Sequence, residues 1–112
     1  FDYTFASVAA TKAFVDKSPD AAAAAVRAIV KTQEALKRDV ARAGAVGHRL
    51  FPPNEAALII DLIRRDLPYY HAAISQESVA GMNRFARDIG ILKNDVAYDK
   101  VVATSLSQFW AP

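Results

Sequence analysis

Residues 18–43, SPDAAAAAVRAIVKTQEALKRDVARA, decide the fold class of this 112-residue chain. Ser18 can cap free backbone N–H groups, Pro19 suits a first helical position, and Asp20 complements the positive end of a helix dipole. The alanine run at 21–25 is strong helix propensity, not a linker. Val26, Ile29, Val30, Leu36 and Val40 mark one face, and Arg27, Lys31, Glu34, Lys37 and Arg38 lie mostly on the other. Glu34 and Arg38 stand four apart, in the favourable order for an ion pair. A long helix is expected from Pro19 to about Ala43, ended by Gly44 and followed by a loosened stretch at Gly47.

Further helices follow downstream. Phe51-Pro52-Pro53-Asn54 is a break, because a proline turns its predecessor away from helix, while Pro53 can open the next one. Glu55 to Asp66 carries Leu58, Ile59, Leu62 and Ile63 at helical spacing, and Pro68 stops it or starts a new turn. Ser75 is the next cap. Gln76 to Ile89 then places Val79, Met82, Phe85, Ala86 and Ile89 on one stripe. Gly90 sits where a left-handed residue ends a helix, with Ile91 placed to cover the last turn. A last helix is expected over Tyr98 to Trp110, with Tyr98, Val101, Val102, Leu106, Phe109 and Trp110 inward.

The amino-terminal end reads differently. Tyr3, Phe5 and Ser7 alternate with Thr4, Ala6 and Val8, which is a strand signal. A helix of one or two turns is expected over Thr11 to Lys17. No second strand is apparent, so the strand lacks a partner. The expectation is a mainly α chain: four main helices, short turns and one N-terminal strand. It is a single piece over 1–112, with a strand at 1–10 and a helical region at 11–112.

Composition narrows the function. The chain is 53% hydrophobic, enough to bury a core. Its net charge is +2, but fourteen basic residues stand among twelve acidic ones with the signs mixed, so no nucleic-acid surface is expected. It has no cysteine, which excludes disulfides, thiolate metal sites and cysteine nucleophiles. No apolar run reaches the roughly 18–20 residues that span a bilayer. The chain starts at Phe1 and its single methionine is Met82, so a preceding segment is expected.

No residue pattern carries catalysis. His48 and His71 are the two histidines, without an HExxH spacing. Asp61, Arg64, Arg65 and Asp66 read as a solvated helix face before an acid–base cluster. No serine stands in a G-x-S-x-G elbow, and no glycines form a phosphate loop. Met82 and Phe85 read as core, and Tyr69-Tyr70 as packing between helices with hydroxyls at the rim. A protein that is not an enzyme, with no metal and no cofactor, is expected.

The order of elements carries a resemblance. VAATKAFV at 8–15, KSPD at 17–20, VRAIVKTQ at 26–33 and ISQESVAGMNRFARDIGILKNDVAYDKVV at 74–102 follow one another at characteristic spacing. Together they resemble the carboxy-terminal third of solute-binding proteins of ABC importers, in the group that includes aliphatic-sulfonate, taurine and nitrate binders. The resemblance implies that this chain is part of a longer protein with two α/β lobes around a cleft, in which residues 1–10 are a crossover strand. It implies an exported, periplasmic receptor that captures a small solute (sulfonate, nitrate or pyrimidine-like) and delivers it to an ABC permease. Tyr3, Thr4 and Ser7, nearest the implied hinge, are then the ligand-binding candidates, most of the site lying outside this chain. Severed from its sheet, the strand would expose an edge that pairs two copies in a non-native homodimer. The alternative reading is an independent helical module that takes a partner peptide in an apolar groove.

Overall fold

The structure is a computed structural model and describes residues 6–111. Within them the chain is mainly helical and contains no strand. Helix α1 spans Lys12–Lys17, α2 Pro19–Arg38, α3 Ala41–Leu50 and α4 Pro53–Asp66. A 3₁₀ turn at Leu67–Tyr69 ends this run. Helix α5 spans Gln76–Asp88, α6 is the single turn Tyr98–Val101, and a second 3₁₀ segment covers Thr104–Phe109.

The expected N-terminal strand is the first correction. Residues 1–5 lie outside the described residues, and residues 6–10 are irregular and exposed. A strand is held by a ladder to a neighbour, and no other strand exists among the described residues to supply one. The edge expected to pair two copies is therefore not formed by residues 6–10. Thr11 instead caps α1, its Oγ1 accepting the Phe14 N–H at 3.1 Å.

The second correction falls on the stretch at 18–43. It is not one helix. The backbone turns extended at Asp39 (φ −153°, ψ 94°), and α3 starts two residues later. Asp39 Oδ1 accepts the Ala41 N–H at 3.0 Å, so a short acidic side chain gives the backbone a partner outside the helix. Ser18 holds the N-cap position of α2, but its hydroxyl makes no capping bond. Glu34 pairs with Lys37 at 3.1 Å and not with the expected Arg38.

Gly44 does not end a helix. It lies inside α3, buried against α4, and Gly47 is buried one turn later. A Cβ built on Gly44 would stand 3.3 Å from Ile60 Cδ1, and one on Gly47 would stand 3.6 Å from the Ala56 Cβ. Ala56 is fully buried. Small residues on both helices thus let α3 and α4 approach closely across the Phe51-Pro52 corner.

Helix α5 begins and ends as its sequence indicates. Ser75 Oγ accepts the Ser78 N–H at 3.0 Å. Gly90 has φ +80°, the Ile91 N–H reaches Ala86 O at 2.8 Å, and the Gly90 N–H reaches Arg87 O at 2.9 Å. These two hydrogen bonds satisfy the Ala86 and Arg87 carbonyls at the end of the helix. Ile91, expected to cover that turn, is 71% exposed. Asn83 fixes the following loop with both ends of its amide, donating to Val96 O at 2.8 Å and accepting the Val96 N–H at 3.1 Å.

The expected last helix breaks after one turn. Val102 is extended (φ −109°, ψ 127°), which buries its side chain, while Val101 is exposed. Adjacent β-branched residues are weak helix formers, so packing decides here. The centre of the fold is small: Ala22, Ala23 and Leu106, with Val15, Val26 and Phe109 packed around them. Arg27 lies over the Phe109 ring, 5.0 Å from its centroid.

Apolar faces remain uncovered. Ile29, Leu58, Leu62, Met82, Phe85 and Ile89 are all exposed. The chain exposes 8445 Å², against about 6,000 Å² for a compact monomer of its mass. Its radius of gyration is 16.4 Å, against about 13 Å for a compact chain of this length.

Candidate functional site

Of the ligand-binding candidates, Tyr3 and Thr4 lie outside the described residues, and Ser7 is exposed in the irregular segment before α1. The other chemistry-bearing residues are dispersed. His48, at the end of α3, and His71, after the first 3₁₀ turn, are both exposed. No group of acidic or histidine side chains able to hold a metal occurs among the described residues. No helix among them is long and apolar enough to cross a membrane.

The polar cluster on α4 resolves into two exposed ion pairs. Arg64 Nη1 meets Asp61 Oδ1 at 2.9 Å. Arg65 grips both oxygens of Asp66, at 2.7 and 3.2 Å. That hydrogen-bonded pairing holds the Asp66 carboxyl below the usual carboxylate range and raises the Arg65 guanidinium further. Neither pair faces a cavity, so the cluster is a solvated face. Tyr69 is exposed and Tyr70 half-buried, so only the second contributes packing.

Two concavities lie among the described residues. One, about 330 Å³, lies between α1, the start of α2 and the second 3₁₀ segment, and is lined in part by Asp16 and Asp20. Asp16 is already paired with Lys12. The other, about 480 Å³, is an apolar groove between α2, α3 and α4. Its lining includes the small side chains of Ala35 on α2 and of Ala43 and Gly47 on α3. Leu36, Val46, Phe51, Ile59 and Ile63 supply its bulk.

The groove follows from the break at Asp39 and from the glycines inside α3. The break at Asp39 turns α3 back beside α2, and the glycine contacts draw α4 against α3. The larger residues of α3 and α4 that do not fit this contact stand beside it. Lys31 and Arg42 are the charged residues of the lining, and no carboxylate joins them. Neither forms an ion pair among the described residues. Thr32 turns its hydroxyl inward along its own helix, donating to Ala28 O at 2.8 Å. The site can therefore receive an apolar body and balance a negative charge; its polar side chains are Lys31, Thr32 and Arg42, with no carboxylate or histidine among them.

Sequence reasoning missed this groove because it took 18–43 as a single helix and Gly44 as its end. The signal was present in the Gly44, Gly47 and Ala56 spacing, which reads as close helix contact once the proline corner places α3 beside α4. The chain matches no protein-family model, no curated protein and no solved structure.

Proposed function

We propose that this chain is the helical carboxy-terminal part of a periplasmic solute-binding receptor, whose helices cover one lobe of a larger α/β protein. The observation that carries this reading is the set of uncovered apolar helix faces. Leu58 and Leu62 on α4 and Met82 and Ile89 on α5 recur at helical spacing, as core-facing positions do, yet all four are exposed. Helices that cover a sheet bury such stripes against it. The ordered motifs at 8–15, 17–20, 26–33 and 74–102 supply the second support. In this reading the partners are a small sulfonate, nitrate or pyrimidine-like solute and an ABC permease, and the protein delivers its solute unchanged.

The test is calorimetric titration with taurine, nitrate and an aminopyrimidine. The 112-residue chain alone is expected to bind none of them, whereas the complete product of its reading frame binds one. A reading frame that encodes no α/β lobe and no export signal overturns the proposal, as does tight binding by the chain alone.

A further inference from the structure

We propose that the groove between α2, α3 and α4 binds an anionic amphiphile, with a carboxylate headgroup at the Lys31 and Arg42 rim and an aliphatic chain along the apolar lining. This goes beyond the receptor reading and uses different residues: the uncovered stripes of α4 and α5 named above do not line the groove.

Three observations carry it. The volume, about 480 Å³, falls within the range of small-molecule sites. The lining combines apolar side chains with two cations and no carboxylate, so a negative headgroup is the complementary one. The groove is built into the fold, because Gly44 and Gly47 hold α3 against α4 and leave Ala35 and Ala43 too small to fill the space beside them.

A docked helix is the poorer occupant. A helix is about 10 Å across and rises about 5.4 Å per turn, so this volume admits about one turn. Helix-in-groove recognition reads anchors at i, i+3, i+4 and i+7, which need two. The stripe on α5 is a different kind of surface. Its neighbours Glu77, Arg84, Arg87 and Asp88 mix the signs, which gives no preference for an anion.

The experiment is a titration of the 112-residue chain followed by amide NMR, with decanoate, decyltrimethylammonium and acetate below their micellar concentrations. Decanoate is expected to shift the amides of Ala35, Ala43, Gly47 and Ile63. Decyltrimethylammonium, with the same tail and the opposite charge, is expected to bind about tenfold weaker or less, and acetate to leave the spectrum unchanged. The double substitution K31Q/R42Q keeps the fold and weakens decanoate about tenfold. A43L fills the groove and abolishes binding; A35L does so from the opposite wall, should A43L disturb α3. Equal affinity for both amphiphiles, shifts centred on Met82 and Ile89, or undiminished binding by both A43L and A35L would each overturn the proposal. None of these results bears on taurine or nitrate binding by the longer protein, so the two readings fail separately.

Discussion

Gly44 and Gly47 show how the same residue type serves opposite ends. Both invite reading as helix terminators, yet both are buried inside α3 against α4, tightly at Gly44, where a Cβ would stand 3.3 Å from Ile60, and with ordinary contact at Gly47. Only Gly90 does what a terminal glycine does, at φ +80°. The distinction lies in what stands across from the residue, and a single helix in isolation does not contain it. At Gly47 the nearest contact for a new Cβ is an ordinary 3.6 Å, so G47A is expected to raise stability by about 0.5–1 kcal/mol through helix propensity. G47L overpacks the Ala56 contact and is expected to cost about 1–3 kcal/mol. Chemical denaturation of the two variants checks the signs. The Arg65–Asp66 pair offers a test of charge at the same scale. A carboxyl held low in the folded state contributes stability above its unfolded pKa, and that contribution is lost as pH falls through the folded value. Both side chains are substantially exposed, so the contribution to stability is small. R65A is expected to move the Asp66 titration upward toward the ordinary range in carboxyl NMR, with no measurable change in melting temperature.

Elements are set by local chemistry at some boundaries and by packing at others. Ser75, Gly90 and Pro53 were legible because each acts on its own backbone. The break at Asp39 was not, although aspartate is a known competitor for backbone N–H groups. Strong helix formers surround it on both sides, and the Asp39 bond to the Ala41 N–H is joined by the packing of α3 on α4 in favouring the turn. The break at Val102 has the same origin: it buries one valine in place of continuing a weak helix. The N-terminal alternation at 3–8 signalled a strand by period alone. Period fixes which side chains share a face, but a partner fixes whether a strand forms, and residues 6–10 have none. The terminal bonds of α5 give the test at this scale. G90A forces a side chain into the left-handed region and is expected to cost about 1 kcal/mol. Amide exchange in that variant should quicken first at Ile91 and Leu92, whose N–H groups both bond to Ala86 O.

At the scale of the whole molecule the chain is a set of well-formed helices around too little core. Among the described residues the buried hydrophobic ones are Ala22, Ala23, Val30, Ala56, Val102 and Leu106, and alanines contribute little area. Mean composition gave no warning, since 53% of the residues are hydrophobic. The periodic stripes were legible in the sequence; that they stay uncovered was not, because a stripe predicts a buried face without saying what buries it. In the receptor reading an adjoining sheet does so. The apolar groove between α2, α3 and α4 is lined by residues of this chain and by none of the stripe residues that the sheet would cover. The most direct test is hydrogen exchange of the α5 amides, measured in the 112-residue chain and in the polypeptide its reading frame encodes. If α5 covers a lobe, its amides exchange readily in the chain alone and at least about tenfold more slowly in the longer protein, because burial of the stripe carrying Met82 and Ile89 raises the free energy of local opening. Equal protection in the two would mean that α5 covers nothing, and the receptor reading would fall.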